Sequence, residues 1–338
     1  MSRRFLLAIV VCSLLLASAS AQLPTFRSQS NVVLVPTLVR NADGDAVYGL
    51  KANDFVIEDD GIAQTVHLDQ DIDPDREPVS MVIAIQRGRS AAHEFQRMST
   101  LATMLDPILA AGLVKIAVVT FDSRVQLLQD FSRDPDQIAE ELHYLRAGDG
   151  GAAILDAVTY SVNLLDRQAR DRQRVLLLIS ETRDHGSRGA SIDDVVTAIG
   201  NSNTVVYTLA FSPALSNILD TWRGKTEPNA SPDLIAPILL AREAMRKNTA
   251  KAIASMTGGQ YELFKSRKSF ENRMNDFANH LHSRYLLSFE PKNPKPGLHE
   301  IVVRLRNPQK DETVLARTSY WAAASASIPV SPPKGAVN

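Results

Sequence analysis

Residues 81–92, MVIAIQRGRSAA, decide the fold. Met81 to Ile85 run without a polar interruption and then meet two arginines, Arg87 and Arg89. A continuous apolar run of this length reads as a strand buried on both faces of a parallel sheet. The turn after such a strand is where sheets of this kind place binding and chemistry.

Three further runs have the same character: KIAVVTF (115–121), RVLLLIS (174–180) and TVVYTLAF (204–211). Helical patterns lie between them. Phe95, Met98, Ala102, Leu105 and Leu109 recur at spacings of three and four, which makes one apolar stripe. Asp134-Pro135-Asp136-Gln137 begins a helix with a capping side chain and a proline in the first turn. Ser191 begins another, which Gly200 is expected to stop, and a further helix is expected over about 233–256. Alternation of strand and helix predicts an α/β fold with a doubly wound, mostly parallel sheet. FDSR (121–124) is too short for a crossover, so the strands on either side of it should form an antiparallel hairpin.

The flanks differ in kind. Residues 27–75 carry strand patterns, with a turn at Asn41 to Ala46 and a hairpin closed by Asp60-Gly61. Residues 284–321 again have strand composition, broken by Pro, Gly and Asn. Each flank is too small to form a core by itself. They are expected to pair into one small β-sandwich into which an α/β domain, residues 78–283, is inserted. The end, 322–338, is small and proline-rich and is expected to lack order.

Composition narrows the function. Thirty-seven Lys and Arg against 38 Asp and Glu leave a net charge of −1, so nothing suggests a nucleic-acid partner. The single cysteine, Cys12, rules out an internal disulfide and a thiolate metal cluster. Arg3 and Arg4, the apolar run FLLAIVVCSLLL (5–16) and the small residues ending at Ala21 predict a secretory leader over 1–21. The mature chain contains no run long enough to span a membrane, and the expected location is extracytoplasmic: periplasm, cell envelope or medium.

Five segments, taken in order, resemble the von Willebrand factor type A family, in particular the exported "VWFA-related" proteins common in Acidobacteria. They are FRSQSNVVLVPTLVRNADGDAVYGLKANDFVIEDDGIAQTV (26–66), KIAVVTFDSRVQLLQDFSRDPDQIAEEL (115–142), GGAAILDAV (150–158), ASMTGGQYE (254–262) and YLLSFEPKNPKPGLHEIVVRL (285–305). The resemblance implies a Rossmann-like sheet. It also implies a divalent cation held by an Asp-x-Ser-x-Ser turn, a Thr from a second loop and an Asp from a third. Carried over by position, Gln86 stands for the first Asp, Gly88 for the first Ser, Ala152 for the Thr and Glu181 for the last Asp, while Ser90 is retained. Arg87 and Arg89 add positive charge to the same turn. The resemblance therefore implies a degenerate site that takes no metal and no cofactor, in a module that binds a protein partner. Arg87 is expected either to neutralise Glu181 through a forked pair of hydrogen bonds or to remain solvated, and Arg89 to remain solvated.

Other constellations point less far. Ser90, His93 and Asp156 contain the residue types of a hydrolase triad, but RGRSA is not the Gly-x-Ser-x-Gly of a nucleophile elbow, so no enzyme activity is expected. His185 reads as a lone histidine in a solvated loop. Asp149-Gly150-Gly151 reads either as an anion cradle or as a tight loop. Trp222 is either an interface anchor or packed on the body, and Asn229 is given no role. An alternative function is a structural component of the cell envelope with the β-sandwich as its working part. For export the expected outcome is definite: N-terminal sequencing of the processed protein begins at Gln22, and an intact Met1 would refute the leader.

Overall fold

A computed structural model describes residues 32–70, 78–87, 100–110, 112–143, 145–169, 171–211, 235–292 and 294–323. The expectations for the leader, Gly88, Arg89, Ser90, His93, Trp222 and Asn229 fall outside these residues, as does the tail beyond 323.

Strands β1 (Val33–Arg40), β2 (Phe55–Asp59), β3 (Ile62–Ala63) and β4 (His67–Gln70) come first. The α/β segment follows in chain order. It comprises β5 (Val79–Gln86), α1 (Leu101–Ala110), β6 (Val114–Phe121), β7 (Val125–Ser132), α2 (Pro135–His143), α3 (Ile154–Asp166), β8 (Gln173–Ser180), α4 (Ile192–Asn201) and β9 (Val205–Ala210). It continues with α5 (Ile235–Lys247), α6 (Thr249–Thr257), β10 (Tyr261–Leu263) and α7 (Arg267–His280). Four strands close the description: β11 (Tyr285–Phe289), β12 (Gly297–Leu305), β13 (Thr313–Ala316) and β14 (Ser319–Ala322).

The central sheet has the order β10-β9-β8-β5-β6-β7, parallel except for β7, which returns antiparallel beside β6. Every residue of β5 is buried, as the apolar run Met81 to Ile85 within it requires. Alternate residues enter two cores. Met81, Ile83 and Ile85 face α1 and α7, whereas Val82 and Ala84 face α3, α4 and α6. Each Met, Ile or Val among them taken from water contributes about 1.5–3 kcal/mol, so the middle of the sheet is its most stable part.

Strands from both flanks share sheets. One sheet runs β13-β1-β11-β4 and the other β14-β12-β2-β3. Phe55, Ile57, Tyr285, Leu287, Phe289 and Tyr320 fill the core they have in common. Ala322, placed in the tail by its composition, still pairs with Gly297, because as a small residue it packs 7% exposed against this core.

Three details depart from the sequence reading. Gly200 lies inside α4, which ends at Asn201 with Ser202 as its cap. A Cβ on Gly200 would lie 2.8 Å from Trp321 Cβ, so the glycine serves close approach to β14 and not helix termination. The helix expected over 233–256 is two, α5 and α6, because Asn248 leaves the helix and its side chain accepts from Lys251 N–H to cap the second. Helix α7 was not anticipated. Ser266 and Ser269 cap it, and only Phe270, Met274, Phe277 and His280 of its fourteen residues are buried. No helix among the described residues is long and apolar enough to cross a membrane.

Two buried arginines tie the β-sandwich strands to the α/β part. Arg317, 4% exposed, donates from Nε to Ser319 O at 2.6 Å and from Nη2 to the carbonyls of Gly200 and of Ile199, the latter at 3.3 Å. Its Nη1 reaches Asn203 Oδ1 at 3.4 Å and Leu34 O at 3.5 Å. Arg284 donates to Tyr207 Oη and to Gly258 O, each at 2.7 Å. Replacing Arg317 with Leu leaves these buried acceptors without their donor and is expected to cost on the order of 3 kcal/mol by chemical denaturation. A loss below about 0.5 kcal/mol, the level of an ordinary surface substitution, would show that the clamp does not hold the two parts together.

Candidate functional site

The carboxyl ends of β5 and β8 meet where strand order reverses, the place at which open α/β sheets form a crevice. Gln86 ends β5 and Glu181 directly follows β8. Gln86 is 0% exposed. Its Oε1 accepts from Glu181 N–H at 2.7 Å, and its Nε2 donates to Glu181 Oε1 at 3.2 Å and to Gly151 O at 3.5 Å. The other carboxylate oxygen, Oε2, lies 2.9 Å from His185 Nε2. His185 N–H in turn donates to Ala152 O at 3.1 Å. Ala152 is fully buried and presents a methyl group.

Gln86, Ala152 and Glu181 thus lie in one cluster of hydrogen bonds at the ends of β5 and β8. His185 does not stand alone in solvent; it is half-exposed and bound to Glu181.

Arg87 departs from the forked pair with Glu181. Its Nη2 lies 3.2 Å from Asp122 Oδ2, and its backbone N–H donates to Phe121 O at 2.6 Å. The reason is strand geometry. Successive side chains leave a strand on opposite faces, so once Gln86 turns toward Glu181 the next residue faces away from it. Gln86 is in register with Phe121 on β6, which brings Asp122 beside Arg87. Asp122, 8% exposed, also accepts Arg124 N–H at 3.0 Å. A Cβ on Gly148 would lie 2.1 Å from Asp122 Oδ2, so only glycine leaves room for this carboxylate. Asp122 escaped the sequence reading because DSR looked like turn chemistry alone; the register of β5 against β6 was the missing information.

The rival constellations resolve locally. Both carboxylate oxygens of Asp156 face the 188–190 loop, taking N–H groups of Arg188 and Gly189 at 3.0 Å and of Ala190 at 2.5 Å. A carboxylate held this way orders a loop. Asp149 Oδ1 accepts from Ser123 N at 3.1 Å, Ser123 Oγ at 3.2 Å and Gly151 N at 2.8 Å. These bonds, that of Gly151 N–H first, hold the Asp149 carboxyl below the usual carboxylate range. The donors that an anion would need already serve the loop's own side chain, as the tight-loop reading requires.

Gln86→Leu is expected to remove the acceptor for Glu181 N–H and one donor to its carboxylate, costing about 1–3 kcal/mol in urea unfolding. Gln86→Glu should cost more, since it sets a second carboxylate against the first. Unchanged stability in both variants would mean that the pair is incidental.

Comparison with known proteins adds the following. Residues 81–183 match the sequence model of the von Willebrand factor type A domain. No curated protein matches. Among solved structures, the chain is similar to the conserved hypothetical protein BatB from Bacteroides thetaiotaomicron, with 15% identity over 60% of this chain and 98% of that one and a TM-score of 0.40. It is also similar to the vWF domain of the type V pili tip protein Mfa5 from Porphyromonas gingivalis, with 10% identity over 61% and 95% and a TM-score of 0.43. A third is proximal thread matrix protein 1 from the mussel byssus with a zinc-occupied MIDAS motif, with 14% identity over 69% and 50% and a TM-score of 0.43. The match over 81–183 begins in β5, takes in the loops that hold Gln86, Ala152 and Glu181, and ends beyond β8.

Proposed function

We propose that the chain is an exported, non-catalytic protein-binding module whose type A domain meets its partner through the loop face around Arg87 and His185, without a divalent cation. The observation that carries this reading is the reciprocal pairing of Gln86 with Glu181. A hard cation such as magnesium needs several uncommitted oxygens in near-octahedral array. At the matching positions this chain offers an amide oxygen already accepting Glu181 N–H, a methyl group at Ala152, and a carboxylate whose two oxygens serve Gln86 and His185. Arg87 adds a guanidinium to the same rim. These residues do not fit the cation of the family site.

The face that results is polar and rigid, with a half-exposed imidazole and a paired guanidinium, chemistry suited to carboxylates and carbonyls on another protein.

Thermal unfolding with and without millimolar magnesium tests the cation-free reading. No shift is expected; saturation at about 100 times the dissociation constant would add about 2.7 kcal/mol and overturn it. Partners captured from cell envelope by the wild-type chain should be lost with Arg87→Glu. If they survive that change and are lost only when exposed residues of the sandwich sheets are substituted, the alternative stands: an envelope component that works through its β-sandwich.

A further inference from the structure

Far along the chain from these loops, three chemistry-bearing residues converge beside the β2–β3 hairpin. Asp59 ends β2, Asp60 opens the turn with φ +48°, and His299 lies on β12. One ligand atom from each residue falls within 4.8 Å of the others. His299 is 4% exposed and Asp59 8% exposed.

The hydrogen bonds fix which atoms remain for a ligand. His299 Nε2 lies 2.6 Å from the carbonyl oxygen of Lys295, which can only accept, so Nε2 carries a proton. Nδ1 then faces two carboxylates, with Asp60 Oδ2 at 2.8 Å and Asp59 Oδ1 at 3.7 Å. The remaining carboxylate oxygens are taken: Tyr320 Oη donates to Asp59 Oδ2 at 3.1 Å, and Glu300 N–H to Asp60 Oδ1 at 2.9 Å. Asp59 Oδ1 is buried without a hydrogen-bond partner, and it points toward His299 Nδ1. The Tyr320 ring stacks on the imidazole at 4.9 Å and 20°, fixing its plane.

We propose that Asp59, Asp60 and His299 bind a divalent transition-metal ion, through Asp59 Oδ1, Asp60 Oδ2 and His299 Nδ1. The arrangement has the features such sites share. An imidazole with one nitrogen donating to a backbone carbonyl presents the other as a lone pair, and an outer hydroxyl orients the ligating carboxylate. One imidazole and two carboxylates suit zinc, leaving a fourth position for solvent. Tetrahedral bonds of about 2.1 Å put ligand atoms about 3.4 Å apart. Asp59 Oδ1, at 3.7 Å from Nδ1, closes by about 0.3 Å to reach this spacing, and Asp60 Oδ2, at 2.8 Å and on a turn, opens by about 0.6 Å. The ion would fasten the N-terminal hairpin to β12. The assignment is independent of the loop face and of the reading given for it.

The test uses the full chain, stripped with a chelator and titrated with zinc chloride, and read by calorimetry, melting temperature and the imidazole nitrogen resonances of His299. One equivalent is expected to bind, to raise the melting temperature and to move the Nδ1 resonance while Nε2 keeps its proton. Tyr320→Phe should weaken binding about 10–100-fold, and Asp59→Asn at least as much. An unchanged affinity in Asp59→Asn would place any bound zinc elsewhere and overturn the proposal. So would a His299 ring that keeps protons on both nitrogens at saturating zinc, which would make the cluster a plain imidazolium–carboxylate clasp. The second readout needs no variant and stands even if the substitutions prevent folding.

Discussion

Arg317 is the constraint on which the arrangement of the chain depends. A guanidinium withdrawn from water pays a large desolvation cost, and none of its described hydrogen-bond partners is a carboxylate. Its donors fan out instead onto carbonyl oxygens, two of them at the carboxyl end of α4, where the helix dipole concentrates negative potential. Burial lowers its pKa to about 10, still far enough above neutrality for the charge to persist. One planar group thereby fixes α4, β1 and the strand entering β14 in a single geometry. Arg284 repeats the device, lying 5.0 Å from the centre of the Tyr207 ring as well as bonding its hydroxyl. His280 adds a third link: its Nε2 donates to Gly44 O at 3.1 Å, its Nδ1 accepts from Gln260, and burial holds its pKa down so that the ring stays neutral.

Above this frame, the loop ends of the sheet are organised by mutual satisfaction. Gln86, Glu181, His185 and Ala152 form a chain of hydrogen bonds in which each buried polar atom has a partner from the same cluster. A buried amide and carboxylate matched in this way are rigid, because any movement strands a donor or acceptor away from water. The strands beneath are apolar, while the loop side chains that follow them are polar and paired with one another. A fold can retain its core and exchange the chemistry at its rim.

Much of this was legible in the residues. MVIAI and LLLIS, apolar on both faces, specify central parallel strands, and Asp134-Pro135 and Ser191 specify helix starts through groups that only a helix terminus leaves unsatisfied. What could not be read depends on neighbours remote in sequence. Gly200 announces a missing side chain but not that Trp321 needs the space. Helix α7 is polar except for a narrow stripe, so its period is faint until the sheet face that receives Phe270 and Phe277 is known. The partner of Arg87 follows from the register of β5 with β6, a property of the paired strands and not of either alone.

The position of β1 has a kinetic consequence. It lies between β11 and β13, both made only after the whole α/β segment. Local contacts let the α/β segment fold early, whereas pairings this distant in sequence form slowly. Until the last strands arrive, β1 presents two unpaired edges and an apolar face, the combination that recruits foreign strands. Folding therefore carries a hazard of misassembly at β1, and the hazard ends only when the strands at 285–316 are in place.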